Sequence, residues 1–72
     1  MNTTEQIADL FSRMGYVVIY AMNYTIELQK PDFTDWTDRE LDTLYDEAGR
    51  YDSVRVSPIY NERNIAQVEI GV

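Results

Sequence analysis

The chain has no cysteine and no histidine, only one lysine, and just three glycines and two prolines in 72 residues. Each scarcity removes a class of structure or chemistry. Without cysteine there are no disulfides, and without cysteine or histidine the usual zinc ligand sets are missing. The same absences remove the commonest general base and the thiolate nucleophile, and leave the serines and threonines without a base to activate them. Paired carboxylates can hydrolyse a glycosidic bond, but they need a cleft that so short a chain hardly forms. The reading is therefore of a protein that is not an enzyme and that uses no cofactor. The lack of cysteine also fits a reducing cytosol.

Cations are scarce as well. Six Lys plus Arg stand against thirteen Asp plus Glu, a formal charge of −7. Direct binding to DNA, RNA or anionic lipid relies on cationic side chains and counterion release, so neither nucleic acid nor membrane is an expected partner. The charge favours basic protein surfaces instead. Long hydrophobic runs are missing too: the longest, Tyr16 to Met22, falls far short of the ~20 residues of a membrane span. The stretch Met1-Asn2-Thr3-Thr4-Glu5 has neither the basic segment nor the apolar core of a secretory leader, and a cytoplasmic location is expected.

What remains is a globular composition, 44 % hydrophobic with six tyrosines, too apolar for a disordered acidic tail. A domain of this size buries only about 60 % of the surface of its unfolded chain. With disulfides and zinc excluded, tight packing or self-association must supply its stability.

The chain repeats itself. Thr3, Gln6, Ile7, Leu10, Phe11, Met14 and Gly15 align with Thr37, Glu40, Leu41, Leu44, Tyr45, Ala48 and Gly49, thirty-four positions on. Each set supplies a capping residue, a capping-box partner, apolar residues at i, i+3, i+4 and i+7, and a terminating glycine. Thr37-x-x-Glu40 is the clearer box, with Trp36 and Leu41 placed as a hydrophobic staple. Both stripes are expected to be buried equivalently.

Each helix is followed by a stretch of twofold period. A Met22-Asn23 turn would pair Ala21 with Tyr24, Ile19 with Ile26 and Val17 with Leu28, all on one face. Tyr16, Val18 and Tyr20 would then occupy the other. In the second stretch, pairing Val56 with Val68 places Val54, Val56, Pro58, Ala66, Val68 and Ile70 together, with a loop around Asn61-Glu62-Arg63 and with Ile59 and Ile65 on the opposite face. Pro58 restricts its strand to an edge or an end. The expected architecture is a single α+β domain over residues 1–72, in the order αββαββ, a pseudo-repeat of 3–30 and 37–72. Two helices would cover one face of a four-stranded, mainly antiparallel sheet.

Two surfaces could carry function. The first is acidic: Asp32, Asp35, Asp38, Asp42, Asp46 and Glu47 cluster on the second helix and the loop before it. Carboxylates at i and i+4 stand about 6 Å apart, a row able to imitate the phosphates of a duplex strand, ~3.4 Å apart along its axis. The same acids also suit a solvated helix face with Asp35–Arg39 and Asp46–Arg50 pairs, and those in the first turn complement the helix dipole. A metal site is not expected. Asp32, Asp35 and Asp38 recur every third residue, whereas calcium loops alternate their ligands and need a glycine at the turn. The second surface is the uncovered sheet face, with Tyr16, Val18, Tyr20, Ile59 and Ile65, suited to a homodimer or another protein partner.

Over its whole length, in size, charge, lack of cysteine and solitary domain, the chain resembles the small acidic proteins with which phages block host defences, including anti-CRISPR proteins. That resemblance rests on no diagnostic motif and assigns no residue a role. It implies an inhibitor that mimics nucleic acid and occupies a basic site, such as the channel of a nuclease or CRISPR-type effector.

Overall fold

A computed structural model describes residues 2–72; Met1, the first residue of the expected domain, lies outside the described residues. The order is α1 (Thr3–Arg13), β1 (Val17–Met22), β2 (Thr25–Gln29), α2 (Asp38–Ala48), β3 (Val54–Ile59) and β4 (Glu62–Ile70). The strands form one antiparallel sheet in the order β1-β2-β4-β3. Packing α1 on β1 and β2 and α2 on β3 and β4 gives the expected two-layer α+β fold. Exchanging β1 with β3 and β2 with β4 leaves the strand order unchanged, so the sequence repeat becomes a pseudo-twofold. Its axis passes between Glu27 and Gln67, which face each other across the central strand pair.

Local chemistry sets the helix ends. Asn2, not Thr3, caps α1, and its side chain accepts from the Glu5 amide at 2.9 Å; asparagine is the stronger N-cap of the two. At the other end Gly15 takes φ +98°, its amide donating to Ser12 and that of Tyr16 to Phe11. That paired arrangement is a Schellman motif, which needs a left-handed residue where Gly15 stands. In α2 the Thr37/Glu40 capping box forms as expected. Gly49 ends this helix in ordinary right-handed conformation, so its requirement is space: a Cβ there would lie 2.8 Å from the Tyr45 carbonyl oxygen.

The core comprises Ile7 and Phe11 of α1, Ile26 and Leu28 of β2, Trp36 of the following loop, Leu41, Leu44 and Ala48 of α2, Val54 of β3, and Ala66, Val68 and Ile70 of β4. The two helices do not bury equivalent stripes. Thr4, Ile7 and Phe11 are buried in α1, but Leu41, Leu44 and Ala48 in α2, where Tyr45 is 54 % exposed. Relative to the repeat, α2 is turned about 60° around its axis, at 100° per residue. Trp36, which has only Asn2 as its counterpart in the first copy, occupies the space beneath the first turn of α2.

Trp36 also organises the far end of the sheet. Between Pro58↔Ala66 and Ile59↔Glu62 the β3–β4 register slips, leaving Arg63, Asn64 and Ile65 without partners on β3. Ile65 pairs with Gln29 of β2 instead, the Trp36 amide donates to the Arg63 carbonyl at 2.9 Å, and the indole N–H donates to Asn64 at 3.1 Å and to Leu28 at 3.3 Å. The connection between β3 and β4 is the two-residue Tyr60-Asn61, tighter than the loop expected around Asn61-Glu62-Arg63. The Val56–Val68 pairing is as expected.

The first hairpin differs from the expected register. Its turn residues are Asn23 and Tyr24, at φ 55° and 62°, the left-handed pair of a type I′ turn, whose twist matches that of the strands. Met22 then pairs with Thr25, Ala21 with Ile26 and Tyr20 with Glu27; Ile19 is an extra, bulged residue, and Val18 faces Leu28. The bulge reverses the parity of the first half of β1. Val18 therefore lies on the core side, where Tyr16 also packs against the core. Val17, Tyr20 and Met22 share the open face.

Two stability predictions follow from these contacts. Trp36→Phe keeps most of the bulk but leaves the buried Leu28 and half-buried Asn64 carbonyls without the indole donor, and should cost about 1–3 kcal/mol in urea denaturation followed by circular dichroism. Tyr24→Gly relieves a left-handed aromatic residue whose side chain is 68 % exposed, and should stabilise the hairpin by about 1 kcal/mol in the same measurement.

Candidate functional site

The loop between β2 and α2 sets where the acids stand. Lys30-Pro31-Asp32-Phe33 makes a turn closed by the Phe33 amide on the Lys30 carbonyl at 3.0 Å. The Asp32 carboxylate accepts from the Thr34 hydroxyl at 2.7 Å and from the Thr34 amide at 3.1 Å. These bonds, the hydroxyl first, hold its pKa below the usual aspartate value. Asp32 thus stabilises its own loop. Trp36 then anchors the chain and Thr37 opens the helix.

Glu40 belongs to this framework rather than to the free surface. Its Oε1 accepts from Lys30 Nζ at 2.9 Å, from the Thr37 amide at 3.0 Å and from the Thr37 hydroxyl at 2.9 Å. The Lys30 hydrogen bond, followed by the Thr37 amide, lowers its pKa from the ordinary 4.5. Lys30 also lies 5.9 Å from the centre of the Trp36 ring, which Tyr16 meets at 5.1 Å and an interplanar angle of 55°.

Beyond this framework, Asp38, Asp42 and Asp46 repeat at every fourth residue along exposed α2, about 6 Å from one to the next. Among the described residues none of the three takes part in an ion pair. Arg39 shares this solvent face and is also outside the ion pairs. The expected Asp35–Arg39 and Asp46–Arg50 pairs do not form; Arg50 pairs with Glu47 at 3.7 Å. Glu47, half-buried, therefore borders the row without extending it. Asp35 is exposed in the lead-in loop, where it lines a shallow groove with Pro58, Tyr60 and Arg63. Of the six acids read from the sequence, three form one row, Asp35 and Glu47 flank it, and Asp32 is held by Thr34. No group of three or more Asp, Glu, His or Cys among the described residues is arranged to hold a metal ion.

The sheet face differs more from its reading. Tyr16 and Val18 are turned to the core, leaving Tyr20 with half-buried Ile59 and Ile65. The centre of the face carries Glu27, Gln67, Arg55 and Glu69, the last two paired at 3.8 Å. On the sheet, exposed apolar residues instead line β1, at Val17, Ile19, Tyr20 and Met22, on faces set by a bulge at Ile19 that no spacing rule announces. Among the described residues no helix is long and apolar enough to cross a membrane.

The Glu40 arrangement predicts a pH dependence. A carboxylate whose pKa is lower in the folded than in the unfolded state contributes fully above its unfolded value, and that contribution is lost as pH falls through the folded value. Glu40→Gln should therefore destabilise the domain at pH 7, by about 1 kcal/mol or less, because the carboxylate is itself 34 % exposed and screened by water. The difference from the unsubstituted chain should shrink steadily below pH 4.5, as urea denaturation across the acid range would record.

The chain matches no family model, and no curated protein or solved structure was found to be similar to it.

Proposed function

We propose that this chain is a non-enzymatic, cytoplasmic interaction module that presents the outer face of α2 to a basic site on a protein partner. In its most specific form the reading is of a nucleic-acid-mimicking inhibitor, seated in the DNA or RNA channel of a nuclease or CRISPR-type effector in phage counter-defence. The observation that carries it is the row of Asp38, Asp42 and Asp46, exposed and outside every ion pair among the described residues, while four of the six cations are engaged elsewhere. Charge left uncompensated on a rigid helix costs solubility nothing and steers a basic partner toward it. The capping box and Trp36 hold that helix in place, so the row needs no ordering on binding.

A homodimer through the open sheet face has less support, because two of its five residues, Tyr16 and Val18, are on the core side. Tyr20→Ala separates the readings: it should leave an electrostatic complex intact and weaken one made through the sheet.

The direct test is displacement of nucleic acid from purified nuclease and CRISPR-type effector complexes, followed by gel shift over a salt series. The unsubstituted chain should compete with nucleic acid and lose affinity as salt rises. Asp42→Lys with Asp46→Lys should weaken binding at least about tenfold, because like charges now meet across the contact. Salt-insensitive binding that survives the double substitution would overturn the reading.

A further inference from the structure

The two edges of the sheet are built differently. On β3, Pro58 lacks an amide proton and exposed Arg55 stands on the open face, both common means of keeping an edge from pairing. The β1 edge has no charged residue between Tyr16 and Tyr24, in a chain with nineteen. It contributes no buried residue, and Val17, Ile19, Tyr20 and Met22 are 39, 44, 40 and 59 % exposed. The bulge at Ile19 is its only protective device, and beyond it Tyr20 to Met22 run in regular register.

We propose that β1 pairs antiparallel with β1 of a second copy, joining two sheets into one of eight strands about a twofold axis. Charge distribution selects this occupant. Two chains of −7 repel wherever their acidic faces approach, whereas β1 lies three strands from β3, about 14 Å across the sheet. Contact through β1 sends the two α2 helices to opposite ends of the assembly. The acids nearest β1 are Glu27, opposite Tyr20, Glu5, which borders a shallow groove with Met22 and Tyr24, and Asp9, which pairs with Arg13. An uncharged strip offers a basic partner nothing, but an antiparallel edge is complementary to itself, each residue meeting its counterpart's neighbour in turn. Association through this edge also supplies burial that a small core without disulfides cannot. The inference is independent of the acidic-face reading.

Sedimentation velocity on the full chain, from micromolar to millimolar concentration, tests it. The expected result is a reversible dimer that tightens as salt rises, because screening relieves repulsion between like-charged copies; a contact through the acidic row would weaken instead. Tyr20→Lys and Met22→Lys should each weaken the dimer at least about tenfold, although each makes the chain less negative. Ser57→Lys, on the other edge strand, should leave it unchanged. Because the chain has no cysteine, single-cysteine variants give a second readout independent of the lysine variants' folding. Tyr20→Cys or Ala21→Cys should form an interchain disulfide under mild oxidation, and Ser57→Cys should not. A folded monomer throughout, or cross-linking at Ser57 in place of β1, would overturn the proposal and leave the acidic-face reading standing.

Discussion

The indole of Trp36 is the interaction on which most of this structure depends. One N–H is shared between carbonyls of β2 and β4, and the backbone amide of the same residue meets a third carbonyl one position earlier in β4. The register slip between β3 and β4 leaves the Arg63 and Asn64 carbonyls without partners on β3, and Trp36 supplies a donor to each. The slip and the tryptophan are thus two parts of one solution. The same side chain supports the first turn of α2 and lies beside Lys30, whose ammonium reaches the capping glutamate. Sheet end, helix start and loop are joined at a single buried ring.

At that ring the two halves of the pseudo-repeat also differ. The first copy has Asn2 where the second has Trp36, and its helix buries Thr4, Ile7 and Phe11. The second copy turns Tyr45 outward and buries Ala48. Polarity follows the same division. The acids gather over the half containing β3 and β4, whereas the opposite edge strand, β1, carries no charge at all. The two ends of the sheet are therefore suited to different partners, although topology makes them equivalent.

Element order, layer arrangement and most of the core were legible in the sequence, because helical and twofold periods differ plainly and Thr37-x-x-Glu40 marks a helix start. Pairing Val56 with Val68 was legible for the same reason: one parity alone buries both strands. The first hairpin was not, because Val17, Val18 and Ile19 are all apolar and give no parity. The turn and the bulge decide there, and Asn23-Tyr24 hides a left-handed turn behind an aromatic residue. The equivalence of the helix stripes failed at Tyr45, whose apolar body suits a core and whose hydroxyl suits water. Within the acidic surface, spacing grouped six acids without separating a row; Asp38, Asp42 and Asp46 stand out only once the helix is seen to begin at Asp38. The withdrawal of Asp32 into a Thr34 turn and of Glu47 toward Arg50 depends on loop geometry and rotamers that spacing does not encode.

Lys30 is the chain's only lysine, and 12 % of its side chain is exposed. Its ammonium is held by Glu40 beside the Trp36 ring, so acylation or attachment of a modifier at its nitrogen must first break that ion pair. Reagents directed at lysine side chains therefore react when that pair is open, and the rate of such labelling measures how often the Lys30–Glu40 contact releases.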